Sequence, residues 1–547
     1  MREQLRGHGA LVSASALGAA GGFAVWGLWR PLLGYDGATY HLSAVVRWVQ
    51  TGSTGSVQDL IVGLPAGNYP LTNEAGLAWA VGISQSFAPV AAWAAAFALL
   101  FGASAWLGLR GAGVSRPIRV LTIAAVCLAP VVLRGIVQAE TDFPAVAWIA
   151  AAAALASAAR RRPPLIGSAI LAAALGVGTK TTVAPVAAAV LLLGLLPLRR
   201  ELRSLLKPIA LGVAAGAVVG GWWYLRNLAD HGSPLWPLVS APWGDPVPPL
   251  IRDVGHSLLE RPAATFRAGV GDLYRDSVAG GLVLIAAALA APLWSRSRAT
   301  LAGAAITLVA LLAWASAPFT GAPDSHALRG VVFSTLRYAL PVLPVAAATL
   351  ALASRAGRRA AVAAAVVAVT AIGWSAERYA ADPYLPGEAV LVLCVAGGAA
   401  LAGALVYALR GVPGRALLAP AAVAAVAALT LGARGYLGRH ASAREIDAPL
   451  IAWLSDRADW AEGRVPVAAV PTLLATLAGD QLEHRIRLIG ADAPCERIRA
   501  EMRNGYILTA PAPRLSFPPT TFGRCLAATA PSFTAGGFRI YRSGAAR

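Results

Sequence analysis

The chain has 547 residues, 57% hydrophobic and only 13% charged, with a formal net charge of +19 and a mean hydropathy of +0.62. A soluble domain carries about 25% charged residues, so this composition excludes an ordinary soluble enzyme and indicates a polytopic membrane protein. The positive charge does not indicate nucleic acid, because no basic groove with interleaved aromatics is present. The arginines sit in short clusters between apolar runs, such as Arg160-Arg161-Arg162 and Arg199-Arg200, which is the positive-inside pattern of cytoplasmic loops.

With the amino terminus in the cytoplasm, the first apolar run, Ala10 to Leu33, is long enough to span and is read as retained rather than as a cleaved signal. It delivers a long polar stretch to the outer face. In that stretch, His41 to Val49 reads as a short amphipathic helix lying on the membrane surface, with Leu42, Val45, Val46 and Val49 on one side. Spans 2 to 7 follow at Phe87–Leu109, Ile118–Val137, Phe143–Ala159, Leu165–Gly178, Val183–Leu198 and Pro208–Leu225. Span 8 ends at Arg296, and spans 9 to 13 run Leu301–Ala317, Ala339–Ala353, Ala360–Trp374, Val390–Leu409 and Leu417–Leu431. The expected fold is mainly α, about 13 transmembrane helices over 1–439 with outer loops at 34–86, 227–279 and 318–337. Residues 440–547 change character. Strands at Val465–Val470, Arg485–Ile489, Tyr506–Thr509 and Phe538–Tyr541 alternate with helices at Thr472–Ala478 and Cys495–Asn504. This predicts a small extracytoplasmic α/β domain with a partly parallel sheet. Cys495 and Cys525 fall in it and are a disulfide candidate, weighed equally against two unpaired thiols.

Chemistry-bearing residues gather at the outer ends of spans. Asp36, at the membrane–water boundary, is a candidate general base, since a partly buried carboxylate can take a proton from a hydroxyl. The competing reading is a cap on the helix that follows it. Tyr40 and His41 stand beside it in sequence. Glu140 and Asp142 lie two apart after span 3 and can face one outer cavity. There they orient an acceptor, assist the base or, with Asp36, hold a divalent cation, which demands several oxygens. Against this, short outer loops are simply polar, and Asp142 also fits an N-cap of span 4. Lys180, Arg226, His326, Arg329 and Arg337 run against the positive-inside bias, which makes each a candidate ligand for a phosphate. Snorkelling to lipid headgroups or pairing with the outer carboxylates is the competing account.

The ordered set comprises Tyr35-Asp36-x-x-x-Tyr40-His41, Arg47-Trp48, Asn68-Tyr69-Pro70, Glu140-x-Asp142, Gly178-Thr179-Lys180, Trp223-Tyr224-x-Arg226-Asn227 and Arg337-Tyr338-x-Leu340-Pro341. It resembles the GT-C superfamily of integral membrane glycosyltransferases that use lipid-linked sugars, a group that includes protein O-mannosyltransferase-like and aminoarabinose-transferase-like enzymes. The resemblance implies transfer of a sugar, with inversion, from a polyprenyl-phosphate donor to an acceptor hydroxyl of a lipid, glycan or protein. It places the reaction at the outer face of the cytoplasmic (inner) membrane, in cell-envelope biogenesis. It implies Asp36 as base, Glu140 and Asp142 in the same site, and Lys180, Arg226 and Arg337 on the donor phosphate. Many members carry an acidic residue directly beside that aspartate, whereas Gly37 stands here. No cofactor is required by the pattern; a divalent cation is left open. The alternatives are a lipid or saccharide transporter or flippase, and a polymerase or ligase with a diphosphate-linked donor. A transporter predicts internal repeats and ionisable groups near mid-span, where Arg134, toward the outer end of span 3, is the nearest case.

Overall fold

The computed structural model describes residues 36–54, 65–254, 278–317, 337–378 and, with short gaps, 448–542, together with a few positions between 257 and 275. Spans expected at 10–33, 390–409 and 417–431 lie outside the described residues, as do His326, Arg329 and Cys394.

Each of the ten spans expected between 87 and 374 corresponds to a helical segment. Six helices are long and apolar enough to cross a bilayer: Ala92–Gly111, Asp142–Ala159, Thr181–Leu198, Leu206–His231, Arg298–Ser316 and Arg358–Arg378. The chain is a multi-pass membrane protein. Three further apolar helices, Leu165–Thr179, Gly280–Leu293 and Val342–Ala356, are shorter.

Span 3 is not one rod. It breaks into Arg116–Cys127 and Pro130–Ile136, bent by 79°. Pro130 explains the break: it has no N–H to donate, and its ring drives Ala129 out of the helical region, to ψ 131°. The bend swings Arg134 and the Gln138–Thr141 turn across the end of the bundle. Helix Leu165–Thr179 packs on Leu206–Gly216 and the π-helical turn after it through glycine. A Cβ at Gly178 would stand 2.4 Å from the Gly220 Cα, so a side chain there would push the two helices apart.

The expectation for 41–49 needs correction. A π-helical turn, Gly37–His41, runs into helix Leu42–Thr51. That helix does not lie on open membrane surface. Leu42, Ala44, Val45, Val46 and Trp48 are all buried, in one cluster with Leu77 and Val81 of helix Thr72–Ser84 and with Leu477, Ile486 and Leu508 of the carboxyl-terminal domain. The apolar stripe was legible, but what covers it is protein: the nearby helix Thr72–Ser84 and a domain more than 400 residues away in sequence. The stripe alone did not distinguish a lipid surface from a protein one.

The carboxyl-terminal sheet has the order β2-β1-β3-β5-β4, with β1 Val467–Val470, β2 Ile486–Leu488, β3 Tyr506–Thr509, β4 Phe533–Ala535 and β5 Phe538–Tyr541. β1 pairs in parallel with β2 and β3, while β5 pairs antiparallel with β3 and β4. Sequence patterning omits β4, a three-residue edge strand, and helices Ala448–Ser455 and Thr521–Leu526. Of the helix expected at Thr472–Ala478, only a 3-10 turn at Ala475–Ala478 falls within the described residues. Cys495, opening helix Cys495–Asn504, is disulfide-bonded to Cys525, with Cα atoms 5.5 Å apart. Cys127 is free.

Gln50 joins the two parts. Its amide donates to the His484 carbonyl at 2.7 Å and accepts from the Ile486 N–H at 3.0 Å. The side chain thereby satisfies backbone groups along the β2 edge, which would otherwise face solvent. Gln50→Ala removes both bonds, each contributing about 1 kcal/mol. Hydrogen exchange at the Ile486 amide is expected to accelerate by about fivefold or more, while β3 amides are unchanged; equal exchange in both proteins would contradict this docking.

Candidate active site

Three short segments converge at one end of the bundle. The first is the Asp36–His41 turn, the second the Gln138–Asp142 turn created by the Pro130 bend, and the third the Lys180 break between helix Leu165–Thr179 and the Thr181–Val183 turn. Arg337, just ahead of helix Val342–Ala353, reaches into their midst. Gly37 allows the first two to meet. A Cβ there would lie 3.0 Å from the Ala139 carbonyl oxygen and 3.3 Å from the Ala139 Cβ. A side chain beside Asp36 would be tight against Ala139, and its neighbour would have to give by a few tenths of an ångström.

The electrostatic centre is Arg337. One terminal nitrogen lies 2.6 Å from Asp36 Oδ2; the other lies 3.3 Å from Glu140 Oε1 and 4.0 Å from Asp142 Oδ2. Lys180 Nζ is 3.2 Å from Asp142 Oδ1, and Arg134 Nη2 is 3.4 Å from Glu140 Oε1. Three carboxylates thus face three cations. All are largely withdrawn from solvent; the side chains of Glu140 and Asp142 are 3% exposed. Buried charge at this density persists only when each ion is paired. Tyr40 completes the rim, its hydroxyl donating to Asp36 Oδ2 at 3.4 Å.

The capping readings fail. Asp36 stands at the N-cap of its turn but makes no side-chain capping bond; its carboxylate goes to Arg337. Asp142 lies in the first turn of its helix, behind Thr141, and its oxygens go to Lys180 and Arg337. Burial raises the Asp36 pKa, but Arg337, His41 and Lys180 together outweigh it and hold the carboxyl at about 2. Asp36 is therefore ionised across the neutral range, and its pairing is lost only as pH falls toward that value. Among the described residues no group of three His, Cys, Asp or Glu side chains is placed to hold a metal ion. A guanidinium stands between these carboxylates.

The remaining expected residues are placed differently. His41 makes a close contact through Nδ1 with Glu74 while still helping to lower the Asp36 pKa. Arg226 is engaged elsewhere: it donates to the Gly67 carbonyl at 2.7 Å and lies 5.2 Å over the Trp223 ring. It ties the 65–72 segment to helix Trp222–His231, beside the Asn68–Asn227 bond of 3.1 Å. Sequence reasoning set Arg134 aside as a near-mid-span charge and gave Glu74 no role. Arg134 precedes Glu140 by six residues, and the intervening turn folds the pair together, a signal readable only once the Pro130 bend is known.

This arrangement can do two things at once. It holds an ionised carboxylate ready to accept a proton, and it holds two cations that an incoming anion can share. Arg337 Nε is buried with no hydrogen-bond partner, as is the Thr141 hydroxyl, so unspent donors exist beside the paired ones.

No protein-family model matches the sequence, and no curated protein matches it. Solved structures do. The crystal structure of ArnT from Cupriavidus metallidurans bound to undecaprenyl phosphate aligns over 97% of each chain at a TM-score of 0.53 and 14% identity. This chain has the GT-C fold. The apo ArnT structure from the same organism aligns over 97% of this chain and 96% of that one, with a TM-score of 0.49 and 16% identity. The GT-C likeness covers the carboxyl-terminal domain as well as the bundle, which is wider than the 10–350 stretch carrying the sequence motifs.

The electrostatic account predicts a titration. Arg337→Gln removes the strongest of the charges that lower the Asp36 pKa and leaves burial acting to raise it. The Asp36 carboxyl stretch, followed by isotope-edited infrared spectroscopy, is expected to titrate near pH 2 in the parent and well above that in Arg337→Gln. An unchanged midpoint would show that Arg337 does not govern Asp36.

Proposed function

We propose that this protein is an inverting glycosyltransferase that moves a sugar from a polyprenyl-phosphate donor to an acceptor hydroxyl at the outer face of the cytoplasmic membrane. The observation that carries the reading is the buried Asp36–Arg337–Glu140 cluster, with Lys180 on Asp142, at one end of a GT-C bundle. The ArnT structure with the same fold is bound to undecaprenyl phosphate, which supports a lipid phosphate as the leaving group here. The topology assigned from charge puts the amino terminus in the cytoplasm and the carboxyl-terminal domain outside.

The chemistry is a single displacement. Asp36 takes the proton of the acceptor hydroxyl as its oxygen attacks the anomeric carbon. The bond from that carbon to the phosphate oxygen breaks, its electron pair stays on the phosphate, and the anomeric configuration inverts. Charge then grows on the leaving phosphate, and preorganised cations stabilise it most where water is excluded. Arg337 and Lys180 are the cations in reach, and Arg337 offers the planar fork that suits a phosphate.

The arrangement also gives an order of events. With Arg337 on Asp36, the carboxylate is a weak base. A phosphate that draws Arg337 toward itself weakens that pair, and burial then raises the basicity of Asp36. The base is strengthened when a donor is in place.

The test is transfer of radiolabelled sugar from a panel of polyprenyl-phosphate sugars by purified protein, with membrane extract as acceptor. The wild type is expected to transfer from at least one donor. Asp36→Asn, correctly folded, is expected to lose about 10²- to 10⁴-fold in rate, the range for a general base. Lys180→Ala is expected to lose about 10²- to 10³-fold, the range for one electrostatic stabiliser. Wild-type transfer that survives Asp36→Asn would move the base to Glu140 or Asp142; no transfer from any donor would overturn the reading.

A further inference from the structure

His41 and Glu74 are a buried pair that the displacement does not use. They come from different segments, the Gly37–His41 turn and the first turn of helix Thr72–Ser84. His41 is 5% exposed and Glu74 fully buried. His41 Nδ1 is in close contact with one Glu74 oxygen, which fixes the ring orientation. The outward atoms of both groups, His41 Nε2 and Glu74 Oε2, are buried and have no hydrogen-bond partner. Leaving a buried donor or acceptor unmade costs about 1–3 kcal/mol, more for a charged group, so such atoms call for a partner.

Both residues line one cavity. Its walls also carry Asn73, Gln138 and Glu140, with Trp93 and Phe143 as apolar sides. Asn73 accepts from the Trp93 indole at 2.9 Å and Gln138 accepts from Arg134 at 2.8 Å. Among the lining residues, the buried side-chain atoms left with no partner are His41 Nε2 and Glu74 Oε2. The space open to the centre of a water molecule is about 20 Å³, enough for one water-sized group and far too small for a sugar ring. The cavity lies directly behind the reaction cluster, since Glu140 forms its wall and contacts Arg337 at 3.3 Å.

We infer that this cavity is a socket for a single saccharide hydroxyl, received by the His41–Glu74 pair while the rest of the sugar lies against Arg337 and Glu140. A hydroxyl both donates and accepts, which matches an imidazole and a carboxylate presented together. A phosphate or a carboxylate does not match, because Glu74 and Glu140 repel it. An apolar substituent does not match either, because it leaves both buried atoms unpaired. The socket selects substrates by the presence of a hydroxyl at one ring position, and a site built this way rejects the deoxy analogue strongly. Glu74 acts as a positioning residue for His41 and as the acceptor of the hydroxyl proton.

This inference rests on the glycosyltransferase reading, and the test separates the two. Transfer is measured for wild type, Glu74→Gln and His41→Gln, using a donor that the wild type accepts, its ring-deoxy analogues, and acceptors with and without free hydroxyls. Melting temperatures within a few degrees of the wild type establish that the variants fold. For the wild type, one deoxy analogue is expected to lose about 10- to 100-fold in kcat/KM, the range for a hydrogen bond to a charged group. In both variants that discrimination is expected to collapse, through loss on the hydroxylated substrate. A collapse seen with donor analogues assigns the socket to the donor sugar; a collapse seen with acceptor analogues assigns it to the acceptor. Wild-type transfer, with discrimination among all analogues unchanged in both variants, overturns the inference alone and leaves a trapped water as the occupant. Absence of wild-type transfer overturns the glycosyltransferase reading, and the socket with it.

Discussion

The constraint on which the site depends is the need to pair buried charge. Asp36, Glu140 and Asp142 come from two different turns and are held nearly out of solvent. Without cations among them they would repel one another and take up protons. Arg337 meets all three, Lys180 meets Asp142 and Arg134 meets Glu140. The cluster is therefore self-neutralising, and it links chain segments that also pack together through apolar side chains such as Ile136, Phe143 and Leu340. A neutral, preorganised cluster of this kind is suited to a reaction in which one anion, the phosphate, appears while one proton is lost.

Local geometry serves that convergence. The Pro130 bend brings Arg134 and Glu140 together, and Gly37 eases the close approach of the Asp36 turn to the Ala139 carbonyl. The carboxyl-terminal domain packs against this arrangement by burying helix Leu42–Thr51 and fixing Gln50 on the β2 edge. The helix that follows the Asp36 turn is thus packed between helix Thr72–Ser84 and the carboxyl-terminal domain, and the proposed base role needs such positioning, because a base must meet its substrate within hydrogen-bond reach.

Much of this was legible in the sequence. Apolar runs bounded by arginine clusters predicted helical segments throughout the described bundle, and Cys495–Asn504, Tyr506–Thr509 and Phe538–Tyr541 were predicted at the limits observed. Asp36, Glu140, Asp142, Lys180 and Arg337, scattered over 300 residues of sequence, do meet. What was not legible needed three-dimensional information. The stripe of helix Leu42–Thr51 fits lipid or protein equally well until the partner is known. Arg226 has the sequence setting of a phosphate ligand; its Nη2 donates to the Gly67 carbonyl, away from the Arg337 cluster, and no one-dimensional pattern encodes that bond. Glu74 had no assigned role, because its partner, His41, lies 33 residues earlier in sequence.

The central claim is that the donor phosphate and Asp36 compete for Arg337. Equilibrium binding of a polyprenyl phosphate to Asp36→Asn and to wild type tests it directly. Neutralising Asp36 releases Arg337, so the variant is expected to bind the lipid phosphate roughly tenfold tighter or more, the lower end of coupling for close charge pairs. That gain is expected to vanish in an Arg337→Gln background. Equal or weaker binding by Asp36→Asn, or a gain that persists without Arg337, would contradict the account.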